Sequence, residues 1–348
     1  MEYDVVLFVD SSIYGGIESH LVELAKLLQR KSVTCKVLFY QDHGNQLFYN
    51  KLESSNIQFE FLEGTTSSVI STFKTYSKHT VIHTHGYKAG IFGRLLCRYL
   101  HLRCVSTYHA GETGQGKVRF YNMLDKITAC LSINFAVSNK IKNQLSQAEV
   151  LDNFVETTPL AECNGTYHHR NKLKVGFVGR LSYEKGPDRF IEIARSMADQ
   201  ERFEWHMFGG GMMDASLTMP ENVVAHGVVP SEEIWEKIDV LCVTSRQEGL
   251  PMAILEAMNH GVMVISMDVG AISTVITHNL SGWIVPVYDV EQFSNKLKEI
   301  IRMDPESLTM MKQYAHSVVA QRFSGHEQWN MLHEAYSGHC SNPVQKNG

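Results

Sequence analysis

No run in this chain of 348 residues approaches the ~18 consecutive apolar residues that a membrane-spanning helix needs. A large excess of one charge is also missing, and a net charge of −5 gives no general attraction for nucleic acid. There is no Cys-x-x-Cys. The seven cysteines stand singly at 35, 97, 104, 130, 163, 242 and 340, an odd set that reads as reduced thiols rather than disulfides or a zinc site. The first residues, Met1-Glu2-Tyr3-Asp4-Val5, are acidic where a signal peptide is basic, and no small-residue cleavage site follows, so a cytoplasmic protein is expected. A short-period repeat and low-complexity tracts are lacking as well, which excludes a repeat architecture.

What is present is ordinary globular material, 44% hydrophobic and 20% charged. At ~100–200 residues per domain the length suggests two domains. Short β-branched runs alternate with helical stretches along nearly the whole chain, the signature of parallel α/β sheets. In the first half strands are expected at Asp4–Val9, Thr34–Phe39, Gln58–Leu62, Thr80–Thr84, Cys104–Tyr108 and Ser132–Val137. A helix is expected over Gly16–Gln29, where Ile17, Leu21, Leu24, Ala25 and Leu28 fall on one face. The pattern restarts at Lys174–Val178 and continues through Glu204–Phe208, Val223–Ala225, Val240–Thr244, Val262–Ser266 and Gly282–Val285. Between the halves, Asp152–Lys172 has a linker composition, and the linker proper is placed at 159–172. After Asp304 only helices are expected, then a polar tail from about Gly338. Two doubly wound domains, 1–158 and 173–322, bind ligands beyond the carboxyl ends of their strands, so a cleft between them is the expected site.

Charge is unevenly spread. From Lys74 to Lys142 there are eleven Lys and Arg against two acids, Glu112 and Asp125. Either this is a solvated face, or a basic surface that meets an anionic membrane leaflet or substrate.

Two motifs carry chemistry. In Val178-Gly179-Arg180-Leu181-Ser182-Tyr183-Glu184-Lys185-Gly186 a strand ends at Gly179 and two cations follow on the turn into a helix. Arg offers a two-pronged fork to phosphate oxygens, Lys a mobile point charge, and the helix start adds a positive dipole end. In Glu248-Gly249-Leu250-Pro251-Met252-Ala253-Ile254-Leu255-Glu256 the first glutamate lies at a strand's carboxyl end, and Pro251 suits the start of a helix. The amides after Gly249 are then donors for an anion, while Glu248 and Glu256 are acceptors for hydroxyl groups.

With Gly209-Gly210-Gly211 and His226-Gly227-Val228-Val229-Pro230, these motifs stand in an order and spacing that resembles the retaining glycosyltransferases of family 4. The resemblance covers roughly 173–290, and Gly15-Gly16-Ile17-Glu18 is similar to the family's glycine loop. It implies the GT-B fold, α/β with two doubly wound Rossmann-like domains, and a terminal helix (about 323–338) that returns to the first domain. It also implies a nucleotide-sugar donor, UDP- or GDP-linked, and no essential metal or cofactor. Arg180 and Lys185 then stabilise the leaving diphosphate, Glu248 positions the donor sugar and Glu256 the ribose. Gly15, Gly16, Gly210, Gly249, Leu250 and Pro251 complete the donor site. His109, in Ser106-Thr107-Tyr108-His109-Ala110, matches the family's catalytic cleft histidine, and His85 ends the neighbouring strand. The implied acceptor is a saccharide or lipid-linked saccharide, in cell-surface polysaccharide synthesis, with peripheral attachment to the inner face of the membrane.

The chain departs from the family at Thr274, where an acid is usual, and at Met263, where proline is common, which puts donor-sugar details in doubt. A GT-B nucleotide-sugar epimerase would share the cleft but need no acceptor. A catalytically silent sugar-binding homologue would not need Arg180, Lys185, Glu248 and Glu256 intact. A nicotinamide dehydrogenase is disfavoured because Gly15-Gly16 lacks the G-x-G-x-x-G spacing.

Overall fold

Val5 to Val9 are all buried, and alternate side chains feed two different cores. Val5, Leu7 and Val9 join one cluster, Val6 and Phe8 another, as a central strand covered on both faces requires. The computed structural model describes residues 3–12, 14–109, 117–159 and 172–338. Residues 160–171 of the expected linker, and the tail after Gly338, lie outside the described residues.

The chain forms two compact units, one drawn from the part up to Glu156 together with the segment from Gly325, the other spanning Thr157–Ser324. Unit 1 runs β1 (Asp4–Val9), α1 (Gly16–Arg30), β2 (Cys35–Phe39), α2 (Gln46–Ser54), β3 (Gln58–Phe61), α3 (Thr66–Phe73), β4 (Thr80–His85), α4 (Tyr87–Leu100), β5 (Arg103–Tyr108), α5 (Lys117–Thr128), β6 (Ile133–Ala136), α6 (Asn139–Lys142) and β7 (Glu149–Val150). Unit 2 runs β8 (Leu173–Val178), α7 (Pro187–Ser196), β9 (Phe203–Phe208), β10 (Val223–Gly227), α8 (Glu232–Trp235), β11 (Val240–Val243), α9 (Met252–Asn259), β12 (Met263–Met267), β13 (Trp283–Val285), α10 (Val290–Ile300) and α11 (Pro305–Arg322). The last helix, α12 (His326–Ser337), belongs to unit 1.

All strand pairings are parallel, in the orders β3-β2-β1-β4-β5-β6-β7 and β10-β9-β8-β11-β12-β13. This is the doubly wound α/β class expected for each half. Strand ends differ from the sequence reading by a residue or two. The two-residue β7 was not expected, being too short to show a period.

Segment 152–158 is not a free linker at its start: Phe154 is fully buried in the unit 1 core, and Asn153 bonds to His20 at 3.0 Å. The terminal helix begins at His326 rather than Phe323, because Gly325 turns the chain at φ +89°. On unit 1 it buries Trp329, Leu332, Ala335 and Tyr336, and the Tyr336 hydroxyl meets His83 at 2.7 Å.

The basic segment also needs correction. Arg94 is not a surface cation: it is 1% exposed and pairs with Asp125 and Ser106, because α4 and α5 pack together there. Lys88 lies 3.1 Å from Asp10. Lys74, Lys78, Arg98, Arg119, Lys126, Lys140 and Lys142 are exposed, while the Lys117 side chain lies outside the described residues.

Candidate active site

Each sheet reverses its strand order once, between β1 and β4 in unit 1 and between β8 and β11 in unit 2. Open α/β sheets bind ligands beyond the carboxyl ends of the strands at such a point. Gly15 and Gly16 follow β1, His85 ends β4, Arg180 and Lys185 follow β8 and Glu248 follows β11, the strands that flank these points, while His109 and Gly210 follow the adjacent strands β5 and β9.

In unit 2, β8 leads into the Arg180–Gly186 turn. Its backbone is clamped to the end of β9: Gly179 N donates to Phe208 O and Leu181 N to Gly210 O, both at 3.0 Å. Gly186 caps α7 at φ +65°, and a Cβ there would overlap the Thr244 carbonyl oxygen at the end of β11. Thr244 Oγ1 donates back to Gly186 O at 2.8 Å, so this glycine fixes how closely the two switch-point loops approach.

The loop after β11 delivers Glu248. Lys185 Nζ donates to both its carboxylate oxygens, at 2.7 and 2.8 Å, and Ser245 Oγ donates to one of them at 2.6 Å. The Glu248 side chain is 7% exposed and that of Lys185 25%, so this is a largely desolvated, charge-assisted pair. The sequence reading gave these two residues separate partners; the fold brings them together. Arg180 is exposed at the start of the turn. Behind Glu248, Ala271 N donates to Gly249 O at 3.0 Å, and a Cβ on Gly270 would overlap the Glu248 carbonyl oxygen. Leu250 and Pro251 are buried, with Pro251 as the N-cap of α9 in extended conformation, one residue before the helix begins. Glu256 is half-buried on α9.

Sequence reasoning missed the residues that brace this site. Ser245, three positions before Glu248, is one. Another is Arg246, whose two nitrogens grip the Asp188 carboxylate at 2.8 and 2.5 Å and hold that carboxyl below its usual range. The fork ties the β11 loop to α7, and Arg246 also lies over the Tyr183 ring at 4.2 Å.

In unit 1, Gly15 is the extended N-cap of α1, and a Cβ on Gly16 would meet open space, so the approach to this helix start is clear. His85, at the end of β4, places Nδ1 3.0 Å from Nε2 of His109, just after β5. A third ring joins them, His20 of α1, 4.8 Å from His109 between centroids. The sequence offered one sign of it: His20 sits three residues after Ile17, on the apolar stripe that buries α1. Burial drives the imidazoles toward the neutral form. His20 is lowered to about 4 against the opposing Asn153 bond, and His83 to about 3 with further help from His20. His85 and His109 are pushed well below the ordinary value, burial first and neighbouring histidines second.

Residues 14–158 match the family described as Glycosyltransferase Family 4, and residues 166–318 match Glycosyl transferases group 1. The chain is 28% identical over 260 residues to the "Uncharacterized 41.2 kDa protein in cps region" of Klebsiella pneumoniae, spanning 67% of this chain and 71% of that one. It is 24% identical over 295 residues to the UDP-Gal:alpha-D-GlcNAc-diphosphoundecaprenol alpha-1,3-galactosyltransferase of Escherichia coli, spanning 74% and 75%. Among solved structures, Anabaena HepE in complex with UDP-glucose superposes with a TM-score of 0.79 at 18% identity, over 96% of this chain and 99% of that one. The HepE likeness shows the fold, and with both halves matched by these models the chain belongs to the group 1, family 4 glycosyltransferases.

Proposed function

We propose that this glycosyltransferase moves a sugar, with retention at the anomeric carbon, from a UDP- or GDP-sugar to a saccharide or lipid-linked saccharide during synthesis of a cell-surface polysaccharide. The observation that carries the reading is the meeting of Lys185 and Glu248 at the switch point of the second sheet. A cation and a hydroxyl acceptor held side by side address neighbouring parts of one ligand, the diphosphate and the sugar. The UDP-glucose bound by HepE and the UDP-Gal and diphosphoundecaprenol named for the E. coli relative support this donor and acceptor class. The cps region named for the Klebsiella relative supports the pathway class.

In the proposed step the bond from the anomeric carbon to the phosphate oxygen breaks, and the bond to the acceptor oxygen forms on the same face. The acceptor proton passes to the departing phosphate oxygen. Arg180 and Lys185 stabilise the charge that grows on the diphosphate, which lowers the barrier only because that charge is larger in the transition state. This assigns the neutralising role to side chains and leaves no step for a metal or cofactor. Glu248 accepts from a donor-sugar hydroxyl and Glu256 from the ribose. Gly15, Gly16, Gly210, Gly249, Leu250 and Pro251 shape the donor loops. His109, kept neutral by burial, offers a hydrogen bond toward the reacting sugars.

Calorimetry with UDP and GDP, paired with transfer assays, tests the assignment. Arg180→Ala and Lys185→Ala should each lower turnover by roughly 10²-fold or more, the effect of losing one preorganised charge contact. Glu256→Ala should weaken nucleotide binding, whereas Glu248→Ala should spare binding and depress transfer. Near-normal turnover in a folded Lys185→Ala protein removes the diphosphate assignment, and equal loss of nucleotide affinity in the two glutamate variants removes their division of roles.

A further inference from the structure

Lys185 stands on a turn that the β11 loop grips on both sides. The Arg246 amide donates to Glu184 O at 2.7 Å, and the Gln247 amide donates to the same oxygen at 3.3 Å. Arg246 Nη1 donates to Tyr183 O at 2.9 Å. Its two Nη atoms also form the fork to Asp188, and the guanidinium lies over the Tyr183 ring. Arg246 therefore holds the chain at Tyr183 and Glu184, just before Lys185, and again at Asp188, just after it. Lys185 closes the circuit by bonding Glu248, on the same loop as Arg246.

Two simpler roles for Arg246 fit less well. As a ligand contact it is poorly placed, because both Nη atoms are already engaged and the side chain is 12% exposed. As a stabilising ion pair it has a partner, Asp188, whose side chain is 40% exposed, and pairs open to water add little to folding. What the fork supplies is direction, since a planar guanidinium bonded in two places has one orientation. A lysine ammonium is the opposite case. It rides on a flexible four-carbon stem, so its position depends on how firmly the backbone beneath it is held.

We infer that Arg246, anchored by Asp188, is a positioning residue for Lys185, fixing the turn from which the ammonium meets the donor diphosphate. This rests on the diphosphate role proposed for Lys185 above. Removing the Arg246 side chain takes the donor from Tyr183 O and frees Asp188, but leaves the backbone bonds to Glu184 O. Within the turn, Lys185 N and Gly186 N still donate to Ser182 O at 3.1 and 3.2 Å. The turn therefore loosens without unfolding. The cost falls on the diphosphate, whose binding needs a charge held in place beforehand, and spares the nucleoside, which Lys185 does not address.

The test is a double-mutant cycle on the full-length chain, by calorimetry with UDP and GDP and by NMR titration with uridine and guanosine. For whichever diphosphate binds, Lys185→Ala should weaken affinity roughly tenfold or more, the loss of one charge-assisted bond. Arg246→Ala should weaken it by about 5–10-fold, leave nucleoside affinity within about twofold, and add almost nothing in the Lys185→Ala background. Arg246→Lys, which keeps a charge beside Asp188 without the fork, should recover part of the loss. Should Arg246→Ala fail to fold, Asp188→Asn takes its place in the cycle with the same direction expected. Unchanged diphosphate affinity, an equal loss for the nucleoside, or full additivity with Lys185→Ala overturns the inference. Lysine-selective NMR of the ligand-free protein separates it from the donor reading: the Lys185 ammonium should lose order in Arg246→Ala, and unchanged order overturns positioning. Lost order together with normal nucleotide binding by Lys185→Ala upholds positioning and removes the diphosphate assignment instead.

Discussion

Lowering the pH from 7.5 to 5.0 should loosen unit 1 by a calculable amount. His20 titrates near 6.5 in an unfolded chain and at about 4 in the folded one, where burial opposes its charged form. Between those values the unfolded state binds more protons than the native state, so stability falls as pH falls. At pH 5.0 the unfolded imidazole is almost fully protonated and the folded one about a tenth so, a loss of about 2 kcal/mol. His83, lowered to about 3, contributes a similar loss, about 2 kcal/mol, at that pH, and His85 and His109 act in the same direction. About 4 kcal/mol from the first two is a large part of the ~5–15 kcal/mol that holds a domain folded. Carboxylates held below their usual range, such as Asp188, give up their contribution only at lower pH, outside this window. Hydrogen exchange, corrected for intrinsic rate, should show protection of β1, β4 and β5 falling at least about 30-fold between pH 7.5 and 5.0. His20→Gln and His83→Gln should each flatten that dependence. Protection that does not change over this interval refutes the reasoning, as does an undiminished slope in both variants.

Two further outcomes are expected. Gly186→Ala places a Cβ into the Thr244 carbonyl at a φ of +65°, so it should destabilise unit 2 by about 1–3 kcal/mol in urea unfolding and reduce donor binding; an unchanged midpoint would mean the two loops are not held at this spacing. The packed helices α4 and α5 expose Leu95, Tyr99, Phe120, Met123 and Ile127 close in sequence to the exposed cations Arg98, Arg119 and Lys126, and we propose that this face docks on anionic membranes. Cosedimentation with phosphatidylglycerol vesicles should fall with salt and drop at least about tenfold in Arg119→Glu/Lys126→Glu, each cation being worth about 1 kcal/mol; indifference to lipid charge would refute docking.

The sheets were legible because parallel strands buried on both faces leave continuous apolar runs, as in Val5–Val9 and Leu173–Val178. The positions of Arg180, Lys185 and Glu248 at strand ends followed from the same runs. What could not be read is anything that depends on distance across the sheet order. Lys185 and Glu248 are 63 residues apart, and nothing local to either says that β8 and β11 are neighbours. Arg94 failed in the opposite sense: counted as one more cation in a basic stretch, it is buried because its partner Asp125 lies a helix away. The histidine cluster is a similar case, gathered from three elements over 89 positions of sequence: His85 and His109 were marked by their strand ends, but nothing local said that His20 of α1 joins them.

The pairing of Lys185 with Glu248 bears on how the proposed donor site is kept ready. A lone carboxylate with a 7% exposed side chain would meet a desolvation cost of several kcal/mol. Here that cost is offset by Lys185 and Ser245, which also fix the carboxylate's direction. The bonds from Lys185 reach both oxygens, so a donor hydroxyl approaching Glu248 and a diphosphate approaching Lys185 compete with one interaction rather than two. A ligand that presents both groups replaces the pair with two new contacts at once, while a free diphosphate satisfies only the lysine and leaves the glutamate with Ser245 alone. On this argument the ion pair is more than a rest position. If the proposed donor site is right, the pair should favour the intact nucleotide-sugar over its cleaved nucleotide, which calorimetry with both ligands would show as tighter binding of the former.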